Sequence, residues 1–275
     1  MAGRPGRRAS GRLPRMAPER SEQGLRVVTR EPLADGPAAG RLLVLVHGAM
    51  DRSTSFTRLM ARLPDWTVVA YDRRGYGHSW HLGPPESFQS QVDDLLEVLD
   101  GRSAVAFGHS LGGDIVLAAA SQHRGAVSSA VVWEPPQPWL DFWPADSAGG
   151  AAGRGLDPED RAEWFMRRMV GDRIWERLPS ATRHQRRAEG HTLAAELTSL
   201  AGAQVFDPRR VRIPVIVGRG GRSRVHQRRG ARELAAALPD AQLVEIPEAD
   251  HGAHLSHPGE VAALIDRVSG VARPA

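Results

Sequence analysis

The stretch from Ala104 to Ala120, AVAFGHSLGGDIVLAAA, limits this chain to few folds. A short apolar run ends in Gly108-His109-Ser110-Leu111-Gly112-Gly113, and an Ala-rich helical pattern follows at once. In such a Gly-x-Ser-x-Gly arrangement strand and helix meet in a turn too tight for side chains at the flanking positions. Gly108 and Gly112 supply that room and push Ser110 to the tip with its hydroxyl exposed. The Leu111 backbone N–H then faces the place where an acyl oxygen could become negative. Taken alone, the pentapeptide also fits an ordinary glycine-rich strand-to-helix turn, so its meaning depends on partners elsewhere in the chain.

Short apolar runs recur around it. Leu25–Arg30 reads as an edge strand, Arg41–His47 (RLLVLVH) as a buried strand, Trp66–Tyr71 and Val127–Trp133 as further strands, and Ile213–Val217 and Gln242–Ile246 as the last two. Helical patterns alternate with them: Ser53 caps a helix to about Leu63, and Glu86–Leu99, Leu111–His123, His226–Leu238 and Pro258–Val271 follow. This alternation predicts an α/β fold, a mostly parallel central sheet flanked by helices. The rhythm breaks over 137–204, where helical patterns and four Trp occur without a core strand; this reads as an inserted helical cap. The expected organisation is therefore a flexible Arg-rich tail at 1–24, a core from 25–136 and 205–275, and the cap between them.

Composition removes several chemistries. The 275 residues include no Cys and no Lys, which excludes disulfides, thiolate ligands, a cysteine nucleophile and a lysine Schiff base. The net charge of +4 sits wholly in the first 24 residues, with six Arg and two acids; the other 30 Arg and 30 acids balance. No Arg stripe interleaved with aromatics points to nucleic acid. No apolar run reaches membrane-spanning length, and the first residues lack a secretory apolar core. The expectation is a cytoplasmic protein with a small-molecule substrate, no nucleic acid and no membrane; oligomeric state stays open.

Four blocks, in this order, resemble the α/β-hydrolase superfamily over nearly all of Leu25–Val271. His47-Gly48-Ala49 resembles the oxyanion loop. Asp72-Arg73-Arg74-Gly75-Tyr76-Gly77-His78-Ser79 resembles the Asp-x-Arg-Gly-x-Gly-x-Ser turn. Gly108–Gly112 resembles the nucleophile elbow, and His251–Pro258 the histidine loop before the last helix. The resemblance implies Ser110 as nucleophile, and His251 as base because it lies seven residues before Pro258; His254 and His257 compete with it. It also implies an oxyanion hole from the backbone of Leu111 and Ala49, with Met50 as the substitute if the loop is offset.

The acid departs from the family's common pattern. The loop Val217–Val225 after the penultimate strand holds no carboxylate, so the role falls to Glu134 at the end of the strand following the elbow helix. A solvated strand end or an ion pair with Arg is the alternative for Glu134. Met50, His109, Trp133, Trp139, Trp143 and Trp164 are the candidate pocket-lining residues.

The implied function is cofactor-free and metal-free: serine hydrolysis of a carboxylic ester, lactone or thioester through an acyl-enzyme. Haloperoxidase-like side activity accompanies that residue set in the family. Cyclisation, C–C bond cleavage or acyl transfer on a biosynthetic intermediate, and non-catalytic ligand binding, are the competing readings.

Overall fold

A computed structural model describes residues 17–33, 35–150, 155–201 and 204–271. Eight strands form one sheet: β1 (Ala17–Arg20), β2 (Arg26–Arg30), β3 (Leu42–Val46), β4 (Thr67–Tyr71), β5 (Ala104–His109), β6 (Val127–Trp133), β7 (Val215–Gly220) and β8 (Ala241–Ile246). Their order is β1-β2-β4-β3-β5-β6-β7-β8. The β1–β2 and β2–β4 pairs are antiparallel; the rest of the sheet is parallel.

The period of two along each central strand divides the core. Val44, Val46, Ala104, Ala106, Ala130, Val132, Val215 and Val217 point to one face. There they meet α2 (Phe88–Leu99), α3 (Leu111–Gln122) and α8 (Val225–Ala237). The alternate residues Leu43, Leu45, Val105, Phe107, Val131, Trp133 and Ile216 face α1 (Thr57–Met60) and α10 (Pro258–Val268). Both faces of the parallel strands are thus covered, which is why those strands are apolar almost throughout.

Between β6 and β7 lie α4 (Pro158–Val170), α5 (Asp172–Arg177), α6 (Ser180–Ala188) and α7 (Gly190–Leu200); among the described residues this insert contains no strand. Ala162, Phe165, Met166, Trp175, Leu193 and Leu197 pack over Met50 and Tyr76 in a third apolar cluster. The insert is therefore seated on the loops that follow β3 and β4. The remaining short helix, α9 (Ala253–Ser256), lies between β8 and α10.

Two sequence expectations change here. The strand expected at the edge, β2, is interior, because residues 17–20 of the expected tail pair with it antiparallel. Gly24, at φ +90°, turns the chain, and the Ser21 carbonyl and hydroxyl accept from Gly24 and Leu25. Backbone pairing of this kind leaves no apolar pattern to read; residues 1–16 lie outside the described residues. The helix expected from Ser53 divides into a 3₁₀ turn (Ser53–Phe56) and one α turn, α1. Ser53 is not its cap: the Ser53 N–H and Oγ–H both donate to Asp72 Oδ1, at 2.8 and 2.6 Å.

Candidate active site

Ser110 sits where β5 ends and α3 begins, at φ 52° and ψ −127°. That φ is costly for any side chain, and the packing around it explains why it persists. A Cβ on Gly108 would lie 2.6 Å from both the Gly112 oxygen and the Gly113 Cα, and one on Gly112 would lie 2.7 Å from the His47 oxygen. The helix start is thus pressed onto the ends of β3 and β5, and only the serine can turn outward. A Cβ on Gly48 would stand 2.9 Å from Ser110 Cβ, so the loop after β3 passes directly over the serine.

Among the described residues, four non-glycine positions have positive φ: Met50, Asp100, Ser110 and Glu134. Asp100 ends α2 in a left-handed cap. The other three stand at the C-terminal ends of β3, β5 and β6, where open parallel sheets place their sites. Such strain costs of order 1–3 kcal/mol per residue and concentrates where geometry is imposed for a purpose.

The turn at Glu134 aims its carboxylate across the sheet. Glu134 is 1% exposed. Its Oε1 accepts the Gly220 N–H at 2.8 Å, and its Oε2 lies 2.8 Å from His251 Nδ1. It is neither a solvated strand end nor, among the described residues, the partner of an Arg. Because a carboxylate only accepts, His251 Nδ1 carries the proton and Nε2 presents a lone pair. The His251 backbone oxygen in turn accepts from His109 Nε2 at 2.9 Å. Among the described residues Ser110 Oγ makes no side-chain hydrogen bond.

The loop after β3 is fixed from beneath. Arg73 is 1% exposed; its Nε and Nη2 donate to the His47 and Gly48 oxygens at 2.9 Å each, and its Nη1 donates to Gln91 and Glu196. The Arg73 N–H donates to His47 Nε2, and His47 Nδ1 donates to the Gly48 oxygen. Burial first, then the charge of Arg73, pulls His47 down to about 3, so it stays neutral. From the insert, Glu196 Oε2 accepts the Tyr76 hydroxyl at 2.6 Å, and Arg186 Nη1 donates to the Met50 oxygen at 2.6 Å. Burial pushes Glu196 up, against the opposing effect of Arg73. Sequence reading missed Glu196, Gln91 and Arg186. The available signal for Glu196 was a lone carboxylate on the apolar face of α7 between Leu193 and Leu197.

The remaining expected lining residues separate. Met50, 2% exposed, belongs to the cluster beneath the insert, where Trp164 also packs, with the Arg168 guanidinium 4.9 Å from its ring centre. Trp143 meets His226 edge-on at 4.9 Å. Trp139 leans on Phe206 and the main core, not on the site. Trp133 is fully buried on the α10 face, with its ring against Gly218 and its indole N–H on the Asp250 oxygen; it supports the histidine loop instead of lining a pocket. His109 is 8% exposed, between His251 and His254, and burial with those neighbours holds it neutral. His254 is likewise pulled down by burial, to about 4, and His257 is half-buried and bonded to Ser256. A hollow of about 580 Å³ lined by Gly40, Arg41, Thr67 and Arg102 lies at the opposite end of the strands, away from these groups.

Chemically, the arrangement offers a serine hydroxyl on a strained turn and an imidazole with a fixed tautomer. The chain is 24% identical to a 2-(acetamidomethylene)succinate hydrolase of Mesorhizobium japonicum over 78% of its length and 82% of the relative's. It is 30% identical to a pimeloyl-[acyl-carrier protein] methyl ester esterase of Chromobacterium violaceum over 82% of its length and 92% of the relative's. The solved structure of a hydrolase from Pseudomonas aeruginosa PA01 superposes with a TM-score of 0.71 at 23% identity, covering 93% of this chain and 98% of the other. Residues 43–264 match the model of the alpha/beta hydrolase family, and the chain belongs to that family.

Proposed function

We propose that this protein is a serine hydrolase that cleaves a small carboxylic ester, lactone or thioester through an acyl-enzyme. The observation that carries the reading is the 2.8 Å contact between His251 Nδ1 and the buried Glu134 carboxylate, beside a serine held at φ 52°. Glu134 fixes the tautomer, leaving His251 Nε2 to take the Ser110 proton as Oγ attacks the acyl carbon. The Leu111 and Ala49 N–H groups receive the developing oxyanion. The Met50 N–H faces the Tyr76 hydroxyl, which favours Ala49 for the second donor. The tetrahedral adduct collapses, and the leaving alcohol or thiol takes its proton from His251. Water then gives a proton to His251 and its oxygen to the acyl carbon, releasing the acid and restoring Ser110. The family relation supports hydrolysis in general, and the name of the 30% identical relative supports an ester.

The test is covalent. A fluorophosphonate should label Ser110 stoichiometrically, and short p-nitrophenyl esters should turn over; Ser110→Ala should lose both. A folded wild-type protein that shows neither labelling nor turnover would overturn the reading.

A further inference from the structure

Beside the proposed nucleophile, His109, His254 and Asp51 converge, and the reading above uses none of their free atoms. His109 Nε2 faces the His251 carbonyl oxygen, an acceptor only, so Nε2 holds the proton and Nδ1 presents its lone pair. That Nδ1 is buried and without a hydrogen-bond partner. His254 is 2% exposed, and neither of its ring nitrogens has a hydrogen-bond partner. Its Nε2 lies 3.7 Å from Asp51 Oδ2, beyond hydrogen bonding but suited to an atom held between them. One donor atom from each of the three residues lies within 4.8 Å of the other two. Leaving buried nitrogens unpaired is costly, and a shared ligand would satisfy His109 Nδ1 and His254 Nε2.

We infer that Asp51, His109 and His254 form a binding site for a divalent transition-metal ion of the zinc type, clamping together the three loops that carry the candidate active site. Two neutral imidazoles and one carboxylate suit zinc and its first-row neighbours; magnesium and calcium favour oxygen donors throughout. Tetrahedral zinc separates its donors by roughly 3.4 Å, so no pair needs to close by more than about 1.4 Å, within reach of side-chain rotation. Outer partners are in place for two of the three ligands. The His251 carbonyl orients His109, and Ser55 Oγ donates to Asp51 Oδ2 at 2.8 Å. Asp51 follows β3, His109 ends β5, and His254 stands three residues beyond His251. The sequence reading placed no metal here, since no local spacing brings residues 51, 109 and 254 together.

Full-length protein without a polyhistidine tag, stripped with chelator, should bind one equivalent of Zn²⁺ in calorimetry with micromolar or tighter affinity. Co²⁺ should give a d–d absorption of low coordination number. Zinc should raise the melting temperature. Asp51→Asn and His254→Gln should each weaken binding by at least tenfold and abolish that rise. Ser110→Ala should bind as wild type does, which separates this site from the hydrolase reading. Asp51 is only half-buried, so its variant stays informative if His254→Gln fails to fold. Absence of a stoichiometric site, or unchanged affinity in folded Asp51→Asn, would overturn the inference.

Discussion

Glu134→Gln tests the catalytic reading most sharply, because the two groups facing the carboxylate are both donors. Gly220 N–H approaches Oε1 and His251 Nδ1–H approaches Oε2, each at 2.8 Å. A glutamine has one acceptor and one donor end. If its oxygen keeps Gly220, its NH₂ meets His251 Nδ1 and drives the ring proton to Nε2, so the imidazole cannot accept from Ser110. If it flips, the tautomer survives but the NH₂ faces the Gly220 N–H in a site 1% exposed, at a cost of about 1–3 kcal/mol. The first arrangement is therefore favoured. In a serine-protease triad the corresponding carboxylate-to-amide exchange lowers kcat about 10⁴-fold through the wrong tautomer. We predict a fall in kcat of roughly 10³–10⁴-fold, or about 4–5.5 kcal/mol of transition-state stabilisation, with KM little changed. The assay is steady-state hydrolysis of a p-nitrophenyl ester, with circular dichroism to verify the fold. A loss below tenfold in a folded variant would refute the assigned role of Glu134.

Three further outcomes follow from the geometry. Gly112→Ala should lower stability by at least about 3 kcal/mol, since its methyl would run into the backbone oxygens of Val46 and His47; a melting temperature within about 3 °C of wild type would contradict this. Arg73→Met should cost about 3–5 kcal/mol in urea denaturation by stranding Glu196, while the double variant with Glu196→Leu recovers much of the loss; additive single effects would show that the pair is not coupled. His47, held at about 3 in the fold against 6.5 when unfolded, contributes stability that is present above about pH 6.5 and is lost as pH falls toward 3. Denaturation across that window should therefore become shallower by about 1.4 kcal/mol per pH unit in His47→Gln, and an unchanged slope would refute it.

What the sequence made readable was local chemistry and chain order. The nearly continuous apolar runs in LLVLV and VSSAVVW announce strands covered on both faces, and a serine between glycines at a strand end announces a tight turn. Glu134 could be singled out because the loop after β7 lacks a carboxylate, and its 2.8 Å approach to His251 spans 117 residues of sequence. Other features have no local trace. β1 is held by backbone pairing, which any composition can supply. In sequence Trp133 reads as a lining residue because its place at a strand end does not tell which face it meets; strand parity sends it to the α10 side. Ser53 looked like a helix cap, but Asp72, distant in sequence, claims both of its donors. The His109–His254–Asp51 convergence likewise exists only once three loops are brought together.

The buried Arg73 also bears on how the insert could be exchanged. One guanidinium holds the His47 and Gly48 carbonyls from the core and Glu196 from α7. The helices over the sheet are therefore not a module that can be traded for another of similar size. A graft that failed to bring a carboxylate to the place of Glu196 would strand a cation under the very loop that covers Ser110, and its cost would register at the serine before it registered in the new helices. Chimeras of this chain should take the Arg73–Glu196 junction, not the ends of β6 and β7, as the seam.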